Sequence, residues 1–224
     1  WMWVVALVGM ATAFFEATLA QIFKVRHSDG SFRGGPAYYI QQALHSRALG
    51  VVFAISLLLC FGLGFNGLQT YNMSSSLQAY IPNYTQTAAP MALGILLAVV
   101  FAFIIFGGTR LISYMTSVIV PTMAGGYILL TIILSIMNIG ELPGIFATIV
   151  TEAFDFSSVV GGFAGSMVVQ GIKRGLFSNE AGMGSAPNAA ASASVSHPVK
   201  QGLVQTFSVF IDTIIICSCS AVMI

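Results

Sequence analysis

The chain has 224 residues, 57% hydrophobic and 7% charged, against about 25% charged in an ordinary soluble domain, and this marks an integral membrane protein. Eight Lys and Arg against seven Asp and Glu leave a net charge of +1, which excludes a basic surface for nucleic acid and a polybasic patch for anionic lipid. Cys60, Cys217 and Cys219 stand in apolar runs without Cys-x-x-Cys or Cys/His spacing, so they read as packing residues rather than metal ligands or a redox pair.

Six apolar segments follow one another, at 1–23, 49–69, 90–106, 111–137, 156–172 and 202–224. Each is near the ~20 residues that a helix needs to cross the hydrocarbon core. None alternates as a barrel strand would, so the expected fold is an all-α bundle of six transmembrane helices in a single domain. The chain opens on Trp1 and stops at Ile224, each inside an apolar segment, and is expected to be a piece of a longer membrane protein.

The first segment carries Glu16. Next comes Arg33-Gly34-Gly35-Pro36, followed by Tyr38, Tyr39, Ile40 and Leu44; this reads as a turn into a short amphipathic helix anchored at the membrane surface. The second segment ends with Phe65, Asn66, Gln69 and Asn72. Amides at intervals of three adjoin on one helix face, and a buried amide can both donate to a carboxylate and accept from an ammonium. They form either part of a binding pocket or a wet helix end; Asn72 fits the wet end. Pro121 and Gly125-Gly126 in the fourth segment predict a kink or close packing.

The fifth segment contains Gly161, Gly162, Phe163, Gly165 and Ser166. Glycines at membrane depth either break a helix, freeing backbone groups for a bound solute or ion, or form a small-residue packing face. The sixth segment carries Asp212. An acid in mid-membrane costs at least ~2.5–3.5 kcal/mol, so Glu16 and Asp212 must face the bundle, a cavity or a partner. Setting residue 7 on residue 203 matches Leu7-Val8 with Leu203-Val204, Phe14 with Phe210 and Glu16 with Asp212 without a gap, as an inverted repeat would. Capping or pairing at symmetric places is one role for these acids, and a proton or gate function is the sharper one.

All eight basic residues fall in alternate connections: Lys24, Arg26, Arg33 and Arg47, then Arg110, then Lys173, Arg174 and Lys200. The positive-inside rule therefore places loops 24–48, 107–110 and 173–201 in the cytoplasm and both ends outside.

Between the fifth and sixth segments stands Gly175-Leu-Phe-Ser-Asn-Glu-Ala-Gly-Met-Gly-Ser-Ala-Pro187. This stretch is similar to the signature of the alanine or glycine:cation symporter family, the sodium:alanine symporters of prokaryotes. Trp1-Met-Trp3 with Gly9 to Thr18, Arg33 to Ile40, and His197 to Val204 with Phe210 to Thr213 agree in the same order, so the resemblance covers the whole chain. It implies helices two to seven of the five-plus-five inverted-repeat fold known from a bacterial leucine transporter. It further implies symport of alanine, glycine or a similar small amino acid with sodium, or with protons, across the plasma membrane of a prokaryote. No cofactor and no covalent chemistry are implied. Phe65, Asn66, Gln69, Gly161, Gly162, Phe163, Gly165 and Ser166 become the expected substrate contacts, with Ser166 a candidate sodium ligand. Asn179, Glu180, Gly182, Gly184 and Ser185 become candidates for an inner gate.

An intramembrane enzyme would need two facing acids or a metal motif, yet His27, His45 and His197 lie in loops and Asp212 has no Asp partner in another helix. A channel would need a filter loop or ring-forming polar residues.

Overall fold

A computed structural model describes residues 1–28, 30–81, 83–154 and 163–223, with the side chains of 163–166 outside that description. The chain divides into two compact units, Trp1–Ala54 with Gly126–Ile224, and Ile55–Gly125. Apart from a two-stranded antiparallel hairpin of β1 (Val25–Arg26) and β2 (Phe32–Arg33), every described element is helical.

In the first unit α1 (Met2–Ile22) is the axis. Its buried residues Ala6, Gly9, Ala13, Ala17 and Ala20 recur at intervals of three and four, which places them on one face. Val4, Leu7, Val8 and Phe15 are exposed. Small residues inward and large apolar residues outward invert the soluble amphipathic pattern, because close backbone approach drives helix association where lipid is as apolar as leucine.

Two helices use that face. Along α8 (Phe163–Asn179), Gly171, Gly175 and Asn179 lie against Trp1, Val5 and Gly9. Both series advance together by four residues, so the helices run parallel. The most extensive partner is α10 (Pro198–Val209). Gly202 meets Phe14 and Thr18, the Thr206 hydroxyl donates to Met10 O at 3.3 Å, and, beyond the end of α10, the Trp3 indole N–H donates to Ser218 at 2.8 Å. Those pairs advance in opposite directions, so α10 is antiparallel to α1.

Pro36 opens α2 (Pro36–Ala43), and α3 (Arg47–Leu59) follows. In the second unit a π-helical turn, Cys60–Phe65, leads into α4 (Asn66–Ser75). The Ser74 and Tyr84 hydroxyls meet at 2.9 Å, and α5 (Ala89–Phe106) follows. The 30-residue α6 (Gly108–Met137) stays helical through Pro121. In the first unit α7 (Leu142–Ala153) and α9 (Ser185–Ser192) are short. A second π-helical turn, Phe210–Ile216, joins α10 to α11 (Cys217–Met223).

Three features depart from the expectations. The sequence reading leaves 138–155 as a loop, whereas α7 occupies 12 of its residues; at 1.5 Å per residue that is about 18 Å, too short for a search tuned to spans. The fifth segment is expected to end at 172 before Lys173-Arg174, but α8 continues to Asn179. Gly175 packs there against Val5 and Met2 O, and tertiary contact of this kind holds a helix where hydropathy would end it. Correspondingly, 173–201 is no plain loop but contains the end of α8 and all of α9. Five described helices are long and apolar enough to cross a membrane: Met2–Ile22, Arg47–Ala79, Ala89–Phe106, Gly108–Met137 and Pro198–Met223.

Candidate functional site

The segment from the end of α8 to the start of α9 gathers several polar groups of the first unit: Ser178, Asn179, Glu180 and Ser185. Glu180 has φ 49°, Gly182 85° and Gly184 87°, a left-handed sequence natural to glycine and strained at Glu180. The Ser185 hydroxyl donates to the Glu180 carboxylate. Ahead of it, Asn179 accepts from the Ala181 N–H at 3.0 Å through Oδ1, while its Nδ2 is buried against Gly9 without a partner. An unpaired buried donor of this kind costs about 1–3 kcal/mol, so the surroundings must hold it in place.

Two acids from other elements make hydrogen bonds on either side of Asn179. Glu16, half-buried on α1, accepts from the Gly182 N–H at 3.0 Å. Asp212, in the π-helical turn after α10, accepts from the Ser178 hydroxyl. That hydroxyl also lies 3.2 Å from the Cys217 sulfur. The two acids matched in the sequence register thus bind points four residues apart on one short segment.

Around it, the Arg33–Pro36 turn interlocks with the same segment. Gly34 lies against Ala191 and Ala20 O, Gly35 against Asn188, and Gly184 against Phe53 and Pro36. Pro36 and Pro187 are fully buried. Gln21 and Lys24, at the end of α1, both donate to Ala193 O at 2.9 Å, and Lys24 stands 4.0 Å over the Phe32 ring. Partial burial moves the Lys24 ammonium below its usual range. The reading of Arg33–Pro36 as a surface anchor therefore missed its packing role. A usable signal was present: this turn and the segment after α8 both pair glycines with a proline, as close backbone contacts require.

On α2, burial first and the Glu16 charge second push the Tyr39 phenol up to about 12. With a folded value above the unfolded one of 10.0, the folded state retains a proton that the unfolded state loses, so stability falls as pH rises from about 10 toward 12. Melting scans across that window are expected to show a shallower decline in Tyr39→Phe than in the unsubstituted protein.

Of the expected substrate contacts, Gly161 and Gly162 lie outside the described residues. Phe163, Gly165 and Ser166 form the first turn of α8, their side chains likewise outside the description. In the second unit Phe65 stacks on Phe61 at 4.6 Å, Asn66 donates back to Gly62 O at 3.4 Å, and Asn66 and Gln69 are exposed. Among the described residues of the first unit, one groove of about 140 Å³ opens beside Trp1, Trp3 and Phe146 and another of about 240 Å³ beside Val5, Gly9 and Leu176. Neither is lined by a charged side chain, so neither supplies the paired polar groups that a zwitterion needs. Sequence reasoning did not foresee Ser178, Gly9 or Thr213, the last fully buried beside Asp212 with its hydroxyl unpartnered. Ser178 and Gly9 become meaningful only through contacts with remote elements, and Thr213 only through its burial.

Membrane-length helices packed through small residues, with two acids turned onto one glycine-rich segment, define a multi-pass α-helical membrane protein. The chain belongs to the sodium:alanine symporter family, whose model matches residues 1–224. It is 54% identical over its full length to the amino-acid carrier protein AlsT of Bacillus subtilis, covering 47% of that protein. It is 47% identical, again over its full length, to the probable sodium/glutamine symporter GlnT of the same organism, covering 46% of it. To the sodium/alanine symporter AgcS of Methanococcus maripaludis it is 39% identical, over 97% of the chain and 48% of the relative. The chain thus spans about half the length of the curated relatives it matches.

Proposed function

We propose that this chain is part of a secondary active transporter that carries alanine, glycine or a similar small amino acid into a prokaryotic cell together with sodium. The observation that carries this reading is the family match along residues 1–224. Transport proceeds by alternating access: cation binding favours the outward-open, substrate-competent state and the ion gradient drives the cycle. No covalent step is involved.

The proposed architecture is the five-plus-five inverted repeat, with a sixth span ending in α8. The antiparallel pairing of α1 with α10, and the Glu16 and Asp212 register along them, support it. The distribution of basic residues supports loops 24–48, 107–110 and 173–201 on the cytoplasmic side. Substrate contacts are assigned to Phe65, Asn66, Gln69, Gly161, Gly162, Phe163, Gly165 and Ser166, with Ser166 also a sodium ligand. The inner gate is assigned to Asn179, Glu180, Gly182, Gly184 and Ser185. A second reading, glutamine as substrate, is favoured by the 47% identity to a relative named as a probable sodium/glutamine symporter.

Uptake of radiolabelled alanine into proteoliposomes of the full-length protein tests this. Uptake is expected to require an inward sodium gradient and to stop when potassium replaces sodium. Gln69→Ala is expected to raise the half-saturating alanine concentration at least tenfold, the effect of losing one hydrogen bond to a charged group worth about 1.5–3 kcal/mol. Competition by unlabelled glycine and glutamine ranks the substrates. Failure of all three to enter under sodium and under proton gradients would overturn the assignment.

A further inference from the structure

We propose that Glu16 and Asp212 act as a paired clasp on the inner gate: positioning residues that hold the segment from Ser178 to Gly182 closed against α1 and the π-helical turn after α10, and whose release accompanies gate opening. The proposal rests on the symporter reading above and adds to it the residues that control the gate.

Four observations lead to it. First, the acids stand on different elements 196 positions apart, at matched places in the internal register, yet each takes a hydrogen bond from the same short segment. Gly182 N–H binds Glu16 at 3.0 Å, and the Ser178 hydroxyl binds Asp212. One contact precedes Asn179, the last residue of α8, and the other follows it, so the clasp straddles the point where the helix ends.

Second, the clasped segment is under local stress. Glu180 is a non-glycine residue at φ 49°, Asn179 Nδ2 is buried without a partner, and Thr213 next to Asp212 has an unpartnered hydroxyl at 0% exposure. Letting the segment go would relax Glu180 and give the buried donors access to new partners, at the expense of two hydrogen bonds to carboxylates. Favourable and unfavourable groups therefore oppose each other within a few residues, which is the physical basis of a two-state element.

Third, Asp212 sits in a π-helical turn, Phe210–Ile216. Such single-turn widenings frequently occur at functional positions, and this one shifts the side chains after α10 from the register a regular helix would have. Fourth, the Cys217 sulfur lies 3.2 Å from the same Ser178 hydroxyl, which gives that hydroxyl an alternative partner when Asp212 lets go.

Hydrogen–deuterium exchange on the full-length protein in lipid, read peptide by peptide with sodium alone and with sodium plus alanine, tests the clasp without depending on transport. In the unsubstituted protein, exchange across 178–184 is expected to change between the two conditions. Glu16→Gln and Asp212→Asn are each expected to raise it about tenfold and abolish the ligand dependence, with α1 and α10 otherwise protected as before. Ser178→Ala, which keeps both acids, is expected to reproduce Asp212→Asn. In transport, the maximal rate should fall about tenfold while half-saturating alanine changes less than twofold. The double variant should lie within about twofold of either single one, because two anchors of one element do not act independently. Unchanged exchange at 178–184 in both acid variants would overturn the proposal, as would a uniform rise along α1 and α10, which marks a packing role. Faster, ligand-independent exchange at 178–184 in a protein that carries no amino acid would uphold the clasp and overturn the symport reading.

Discussion

Gly184→Ala is expected to lower the apparent melting temperature of the full-length protein by about 5 °C or more and to leave little monodisperse protein in fluorescence-detected size exclusion. Two independent terms add at this residue. Its φ of 87° places an L side chain in the left-handed region, at about 1–2 kcal/mol. A Cβ there would also come within 2.7 Å of the Phe53 ring and 2.9 Å of Pro36 Cγ. Pro36 is fully buried and rigid, so it cannot yield, and overpacking of this kind costs about another 1–3 kcal/mol. The matched control is Gly94→Ala in α5, where nothing lies within 4 Å of the added methyl. That change is expected to leave the melting temperature unchanged or slightly raised, since alanine is the better helix former by about 1 kcal/mol. Equal behaviour of the two variants would contradict the interlock of Arg33–Pro36 with the segment after α8.

Gly202→Ala strikes the pairing of α1 with α10. The added Cβ would press on the Thr18 hydroxyl and come within 2.9 and 3.0 Å of the Phe14 ring, while Phe14 is itself in edge contact with Phe15 at 5.7 Å. Relief requires the two helices to separate by some tenths of an ångström, at about 1–3 kcal/mol. The same separation moves Glu16 on α1 relative to Asp212, which stands in the π-helical turn that directly continues α10. The proposed sodium-dependent uptake is therefore expected to fall more than the melting temperature alone would suggest, by about tenfold. Comparing uptake per folded molecule with that of Gly94→Ala measures it; a loss proportional only to the amount of folded protein would show that the spacing of α1 and α10 matters for folding and not for the cycle.

Both residues illustrate what local reading reaches. Glycine at 184 and 202 is visible in the sequence, but its reason is not: one needs a left-handed turn, the other the absence of a side chain beside an aromatic ring on a helix nearly 190 positions earlier. The same holds for Ser178, an ordinary polar residue until Asp212 is seen beside it.

Composition and hydropathy by themselves determined that this is a membrane protein built of helices. Burial in lipid demands long runs of apolar residues with internally satisfied backbones, and such runs are local and continuous along the chain. The motifs determined the family, and the ungapped match of Glu16 with Asp212 raised the idea of a repeat. Only the tertiary structure decided that α8 runs past its charged residues to Asn179, that a 12-residue helix fills 142–153, and that both acids grip one segment. Helix ends, left-handed turns and polar pairs within a bundle are set by contacts between residues tens to hundreds of positions apart. Hydropathy averages over just those contacts.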